Sequence, residues 1–157
     1  MRIIRTVTAD VPLSAAFAFL SDFTTTTEWD PATVRTERVS GDGGIGTRYL
    51  NVSRFLGREA ELPYEVVALD PGRRFALRGE NKTLVAHDVM TFAGDEHRTE
   101  LTYEATFDLK GLARLVGPLL TPAFTKLGDD AERGLRTALT RLGRTGAAGS
   151  GASSGTA

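Results

Sequence analysis

Residues 112–142 read LARLVGPLLTPAFTKLGDDAERGLRTALTRL, and this stretch decides how the rest of the chain must fold. Its apolar residues recur at steps of three and four, the spacing of one face of an α-helix. The repeating set comprises Leu119, Ala123, Leu127, Ala131, Leu135, Ala138 and Leu142, with Leu120, Phe124 and Leu139 widening the face. A straight helix over residues 118–142 would be roughly 37 Å long at 1.5 Å per residue. Such a helix needs a broad apolar surface on which to lie.

The chain before this helix supplies that surface as strands. A segment rich in β-branched residues covers residues 2–8, and six further strand-like segments separated by turns follow between residues 33 and 109. Strands joined by tight turns favour an antiparallel sheet. Two short helices are predicted between the first two strands, at residues 15–20 and 23–28. We therefore predict an α+β fold in which a curved, seven-stranded antiparallel sheet surrounds a long C-terminal helix and leaves a space beside it.

Composition narrows the classes of function. The 19 basic and 20 acidic side chains nearly balance, so we expect no electrostatic capture of nucleic acid. There is no cysteine, which excludes disulfides, thiolate nucleophiles and cysteine metal sites. The first residues lack the apolar run of a signal peptide, and no run of about 18 apolar residues could span a membrane. These features predict a cytoplasmic protein. An exposed strand edge could support a dimer, so we expect a monomer or a weak homodimer.

The two histidines, His87 and His97, are too few and too far apart in the sequence to predict a zinc site, and we expect no metal and no cofactor. Residues 1–143 are predicted to form one domain. Residues 144–157 are almost all Gly, Ala, Ser and Thr, which cannot bury enough apolar surface to offset chain entropy. They are predicted to be a flexible tail.

Alternation along the strands predicts which side chains face the helix. The inward set includes Ala60, Leu62, Tyr64, Val66 and Ala68 in the third of the six segments, Phe75 and Leu77 in the next, Met90 in the fifth, and Tyr103 and Phe107 in the last. Asp88 falls in register with Met90, on the same apolar face. A carboxylate there costs energy unless it is paired or protonated.

Three interpretations of Asp88 remain open. Buried in a cavity, it would have a raised pKa and could act as a general acid or base. A one-residue bulge would instead turn it to solvent. An arginine such as Arg78 or Arg48 could also pair with it.

Several short stretches, taken in order, resemble one superfamily. They are a helical pair ending in a tryptophan and a proline (residues 23–31), a glycine-rich turn (41–46), YEVVALDPGRRF (64–75), and RTELTY (98–103) leading toward the long helix. Together they are similar to the polyketide cyclase/dehydrase and lipid-transport superfamily, also called SRPBCC or START-like, over roughly residues 1–142. The resemblance implies the helix-grip fold. Its members bind sterols, quinones, phospholipids or polyketides, some catalyse cyclisation or dehydration, and others bind chaperones.

The resemblance also implies a ligand cavity between sheet and helix, with the position of Trp29 near its mouth. The predicted ligand-binding set is Trp29, Leu62, Tyr64, Phe75, Leu77, Asp88, Met90, Tyr103, Phe107, Phe124 and Leu127. Binding of a small hydrophobic molecule (a lipid, a quinone or a polyketide-like compound) is one hypothesis. The alternative is a cyclase or dehydratase in which Asp88, Tyr64 and Tyr103 supply acid–base groups and Arg78 steadies an enolate. A chaperone-binding role has little support in the sequence.

Overall fold

Seven strands and a long C-terminal helix make up the protein, and a computed structural model describes residues 1–150, with side chains through residue 148. The elements are β1 (Arg2–Ala9), α1 (Leu13–Leu20), a 3-10 turn (Phe23–Thr25), α2 (Thr26–Trp29), β2 (Thr33–Ser40), β3 (Arg48–Phe55), β4 (Arg58–Asp70), β5 (Arg74–Glu80), β6 (Leu84–Gly94), β7 (Thr99–Leu109), α3 (Ala113–Val116), a second 3-10 turn (Gly117–Leu120) and α4 (Thr121–Ser150). The predicted α+β helix-grip fold is confirmed.

The strands form one antiparallel sheet in the order β1-β7-β6-β5-β4-β3-β2. Strands β2 to β7 pair with their neighbours in the sequence, whereas β1 pairs with β7, from Arg2 opposite Thr106 to Ala9 opposite Thr99. The first and last strands are therefore neighbours. Arg5 of β1 also donates hydrogen bonds to Asp129 of α4, which ties the helix to this strand.

A bulge in β4 changes the predicted alternation. The register with β5 shifts between Val66 and Ala68, after which Leu69 pairs with Phe75. One extra residue exchanges the two faces of a strand. Leu69 therefore packs against the core where Ala68 was predicted, and Val67 is exposed.

Helix α4 differs from the prediction at both ends. It begins at Thr121, because residues 113–120 form α3 and a 3-10 turn, and Leu119 is exposed and lies outside the buried face. At the other end α4 continues through Ser150, over the first half of the predicted flexible tail. The rest of that tail, residues 151–157, lies outside the described residues. At 30 residues, α4 is about 45 Å long.

Two glycines mark where α4 approaches its neighbours. A Cβ atom added at Gly128 would press on the side chain of Ile3 in β1, and one added at Gly134 would overlap the carbonyl oxygen of Trp29 in α2. Glycine is unfavourable in a helix interior by roughly 0.5–1 kcal/mol. Here the absence of a side chain lets the helix contact β1 and α2 closely.

The hydrophobic core fills one end of the space between sheet and helix. Leu135 and Leu139 of α4 are fully buried there, as is Leu101 of β7, and the ring of Phe17 in α1 meets Phe92 edge-on at 5.0 Å. The other end, beneath the first half of α4, is hollow. Across residues 1–150, no helix is both long enough and apolar enough to cross a membrane.

Candidate ligand cavity

A cavity of about 310 Å³ lies between the first half of α4 and the inner face of the sheet. Its walls come from β1, β3, β4, β6 and β7, from α2, and from Phe124 to Ala131 on α4. The walls are mainly aliphatic and aromatic, with a few polar groups. Small-molecule sites in proteins usually combine these two features.

Most of the predicted ligand-binding residues lie in this lining. They are Trp29, Leu62, Tyr64, Asp88, Tyr103, Phe107, Phe124 and Leu127. Phe75, Leu77 and Met90 do not: all three are fully buried in the core cluster. Alternation placed them on the correct face of the sheet, but this part of the face is filled by the core.

Asp88 is buried at the inner end of the cavity, with 5% of its surface exposed. The β6 ladder runs without a register shift, so Asp88 stays on the inward face opposite Ala105 of β7. The Tyr103 hydroxyl donates a hydrogen bond of 2.9 Å to Asp88 Oδ1. The Tyr64 hydroxyl lies beside the same carboxylate, where it lowers the pKa of Asp88. We call Asp88, Tyr64 and Tyr103 the carboxylate cluster.

Neither of the two arginines considered as partners pairs with Asp88. Arg78 lies on the outer face of β5, exposed, with its guanidinium 2.6 Å from Glu80. Arg48 is also exposed and pairs with Glu65 at 3.3 Å. The predicted role of Arg78 in steadying an enolate is therefore corrected, because side chains that alternate with the inward Leu77 point away from the cavity.

Burial raises the pKa of Asp88 to about 6, since removal from water disfavours the charged form. Hydrogen bonds from Tyr64 and Tyr103 act in the opposite direction, and the negative charge of Asp30 raises the pKa further. A carboxyl group with this pKa exists in both forms near neutral pH. That property suits a group that accepts and returns a proton.

The two tyrosines are held in the neutral form. Burial raises the pKa of Tyr64 and of Tyr103 well above the ordinary value, and the charge of Asp88 adds to this effect. Each phenol therefore keeps its proton, which Tyr103 donates to Asp88. His87 lies on the opposite face of β6, and His97 lies in an exposed turn, so neither joins the carboxylate cluster.

A second set of polar side chains was not predicted. Asn51 on β3 donates to Thr36 at 2.8 Å and to Thr33 at 3.3 Å, and it accepts from Ser53 at 2.6 Å. Thr36 in turn bonds Thr26 of α2 at 2.6 Å. The signal was present in the sequence, because Asn51 and Ser53 follow Tyr49 at steps of two residues and therefore share its inward face.

Asp30 follows α2 and also lines the cavity. Its carboxylate accepts from the Thr33 hydroxyl at 2.8 Å and from the Ala32 amide at 3.0 Å. Burial raises its pKa, and these hydrogen bonds oppose the rise. Asp30 is thus a second acidic group in the lining that sequence reasoning missed.

Trp29 both packs and lines the cavity. It is almost completely buried, its ring meets Tyr103 edge-on at 5.7 Å, and its carbonyl faces Gly134. Its indole N–H is enclosed by protein and has no hydrogen-bond partner among the described residues. Trp29 is therefore both a core residue and part of the cavity wall.

Aromatic and aliphatic side chains surround the outer part of the cavity. Phe124 of α4 stacks between Phe55 and Phe107, with both ring centroids 4.8 Å away. Beyond them, Leu112, Leu115 and Leu119 are exposed. Within residues 1–150, no three His, Cys, Asp or Glu side chains are grouped so that they could hold a metal ion.

Comparisons with known proteins agree with this architecture. A family model described as polyketide cyclase/dehydrase and lipid transport matches residues 2–144. No curated protein sequence matches the chain.

Solved structures share the fold at low sequence identity. The Zhui aromatase/cyclase from Streptomyces sp. R1128 has a TM-score of 0.79 at 17% identity, covering 95% of this chain and 98% of that one. TTHA0849 from Thermus thermophilus has a TM-score of 0.75 at 14% identity, with 90% and 98% covered. A START superfamily protein from Mycobacterium smegmatis has a TM-score of 0.69 at 13% identity, with 92% and 97% covered. Identities this low establish a common fold alone.

Proposed function

Because the chain belongs to the polyketide cyclase/dehydrase and lipid transport family, we propose that it binds a small, mostly apolar molecule between the sheet and α4. The observation that carries the proposal is the cavity itself. It measures about 310 Å³, and its walls are largely apolar with a small number of polar groups. A lipid, a quinone or a polyketide-like compound has the mixture of apolar body and few oxygens that such a site accommodates.

The position of Trp29 provides a direct assay. It is the only tryptophan in the chain, and it lines the cavity. Titration with the neutral dye N-phenyl-1-naphthylamine should give saturable energy transfer from Trp29 to the dye. Native mass spectrometry of the protein as purified from its host should also show whether a small molecule accompanies it.

A matched pair of variants on β7 tests whether the dye occupies the cavity. Ala105 is buried and lines the cavity, whereas Thr106 is the next residue and points to the other face. Ala105→Leu should weaken dye binding about tenfold or more because the added side chain occupies ligand space. Thr106→Leu should leave binding unchanged. Equal binding by both variants, or no saturable binding by the natural protein, would contradict the proposal.

A second candidate function is cyclisation or dehydration of a polyketide-like substrate, and the carboxylate cluster favours it. Asp88 would take a proton from a carbon between two carbonyl groups. The resulting enolate carbon would form a bond to another carbonyl of the same molecule, and Asp88 would return the proton to the new alkoxide. The raised pKa of Asp88 supports both transfers.

This candidate can be tested with a linear poly-β-ketone thioester and product analysis by mass spectrometry. Asp88→Asn should abolish turnover, because the amide cannot accept the proton. Asp108→Asn, an exposed position on β7, is the matched control and should turn over at the natural rate. Turnover that survives Asp88→Asn would remove Asp88 from the mechanism.

A further inference from the structure

Asp88 keeps free acceptor positions that face the cavity. Tyr103 donates its single hydroxyl proton to Asp88 Oδ1 at 2.9 Å, and the Tyr64 hydroxyl lies beside the same carboxylate and lowers its pKa. An ionised carboxylate has about four acceptor positions, so at least half of them stay open beside these two hydroxyls. No other donor approaches Asp88 among the described residues. The cluster therefore presents lone pairs to the cavity.

The polar groups of the lining around Asn51 and Asp30 have the same character. Both amide protons of Asn51 are donated within the protein, to Thr33 and Thr36, and the Ser53 hydroxyl is donated to Asn51. The Thr33 hydroxyl is donated to Asp30. The indole N–H of Trp29 is enclosed by protein and adds no donor to the cavity surface.

The charges of the lining also have one predominant sign. Asp30 and Asp88 are acidic, and Arg54 is the single cationic residue of the lining among residues 1–150. The Arg54 side chain is 64% exposed and already pairs with Glu59 at 3.4 Å. Within that described part of the chain, no cation is thus placed to neutralise an anionic ligand group near Asp88. A carboxylate brought next to buried Asp88 would meet a like charge in a medium that screens poorly.

We infer that the carboxylate cluster selects an uncharged ligand whose hydroxyl group (phenol, enol or alcohol) donates a hydrogen bond to Asp88, and that it rejects carboxylate ligands such as free fatty acids. This inference rests on the proposed binding function and specifies its ligand class. It disfavours the simpler expectation that Tyr103 holds a ligand carbonyl, because the Tyr103 proton is already donated to Asp88.

Three naphthalenes of similar size test separately whether the ligand needs a hydroxyl donor and whether it must be uncharged. At about pH 7.5, 2-naphthol is neutral and has a hydroxyl donor, 2-methoxynaphthalene is neutral without a donor, and 2-naphthoate is an anion. Asp88 is ionised at this pH. Isothermal titration calorimetry should rank 2-naphthol first, with 2-methoxynaphthalene weaker by about tenfold, as expected for the loss of a hydrogen bond to a charged group. The anion should bind most weakly.

Asp88→Asn supplies the second measurement, with Asp108→Asn as the matched control. The amide removes the charge and adds a donor, so the ratio of 2-naphthol to 2-naphthoate affinity should fall at least tenfold in Asp88→Asn and stay unchanged in Asp108→Asn. If Asp88→Asn fails to fold, the ranking of the three probes by the natural protein decides alone.

The possible failures are distinguishable. If 2-naphthoate or 2-methoxynaphthalene binds the natural protein as tightly as 2-naphthol, the inferred ligand class is wrong while the binding function stands. An unchanged affinity ratio in a folded Asp88→Asn variant would also overturn it. If none of the three naphthalenes binds and N-phenyl-1-naphthylamine does not bind either, the proposed function fails, and the inference fails with it.

Discussion

The two ends of the space between the sheet and α4 are built from the same strands and the same helix, yet one is solid and the other hollow. On β6, Met90 is fully buried in the core, whereas Asp88, two residues earlier, faces the cavity. On α4, Leu135 belongs to the solid end and Leu127 to the hollow one. Helix α1 makes the difference, because Phe17 and Leu20 pack into the core at one end only.

The comparison of the two ends shows that a side chain can face inward without being closely packed against other side chains. A residue on the inner face of a sheet is removed from water at either end, but only at the solid end is it surrounded by other side chains. Packing density therefore decides what a substitution costs, and the hollow end can exchange side chains with little loss of stability. The hollow end is also where a buried carboxylate is found.

Truncating one side chain at each end to alanine should give the largest difference in the free energy of unfolding. Leu135→Ala should lower the free energy of unfolding by about 2–5 kcal/mol, because it opens a new cavity in packed core. Leu127→Ala, on the same helix, should cost about 1 kcal/mol or less, because it enlarges a space that already exists. Urea unfolding measures both. Equal losses would mean that the two ends are packed alike.

Asp88 should give the hollow end a pH dependence that the solid end lacks. The pKa of Asp88 is about 6 in the folded state and 3.8 when unfolded, so between these values only the folded protein retains the proton. Stability from this group is therefore lost as pH rises from about 4 to 6, by on the order of 3 kcal/mol in total.

Asp88→Asn removes this ionisation, so its stability relative to the natural protein should increase as pH rises from about 4 to 6 and level off above about pH 7. Urea unfolding of both proteins over this pH range measures the difference, in which contributions from other groups cancel. A difference that does not vary with pH would show that Asp88 ionises normally.

A substitution at the close contact between α4 and α2 should change the free energy of unfolding by a smaller amount. Gly134→Ala places a methyl group against the Trp29 carbonyl, so the helices must separate, and we expect a loss of about 1–2 kcal/mol with a shift in Trp29 fluorescence. Gly146→Ala lies on the same helix with open space around it and should stabilise by about 0.5–1 kcal/mol. A neutral Gly134→Ala variant with unchanged fluorescence would contradict the close approach.

Much of the fold follows from local patterns. The three-and-four spacing in α4 and the turn residues between strands are short-range signals, and they predicted the elements to within a few residues over most of the chain. The exceptions have local causes. The bulge at Val67 reversed the faces of Ala68 and Leu69, and Leu119 left the helical face because residues 117–120 form a 3-10 turn.

The site was predicted less completely, because a cavity depends on what does not fill it. Alternation put Phe75, Leu77 and Asp88 on one face but carried no information on how far α1 extends over that face. The inward Asn51 was visible as a polar residue between Tyr49 and Phe55, whereas Asp30 entered the lining through the path of the chain after α2. Such placements arise from tertiary packing.

The pairing of β1 with β7 has a consequence for synthesis on the ribosome. Arg2 finds its partner Thr106 only after more than a hundred residues have been added. At translation speeds of about 5–20 residues per second, this delay is roughly 5–20 s. Throughout that time the first strand of the nascent chain has an open edge, so premature termination before residue 99 would leave a product whose β1 has no partner strand.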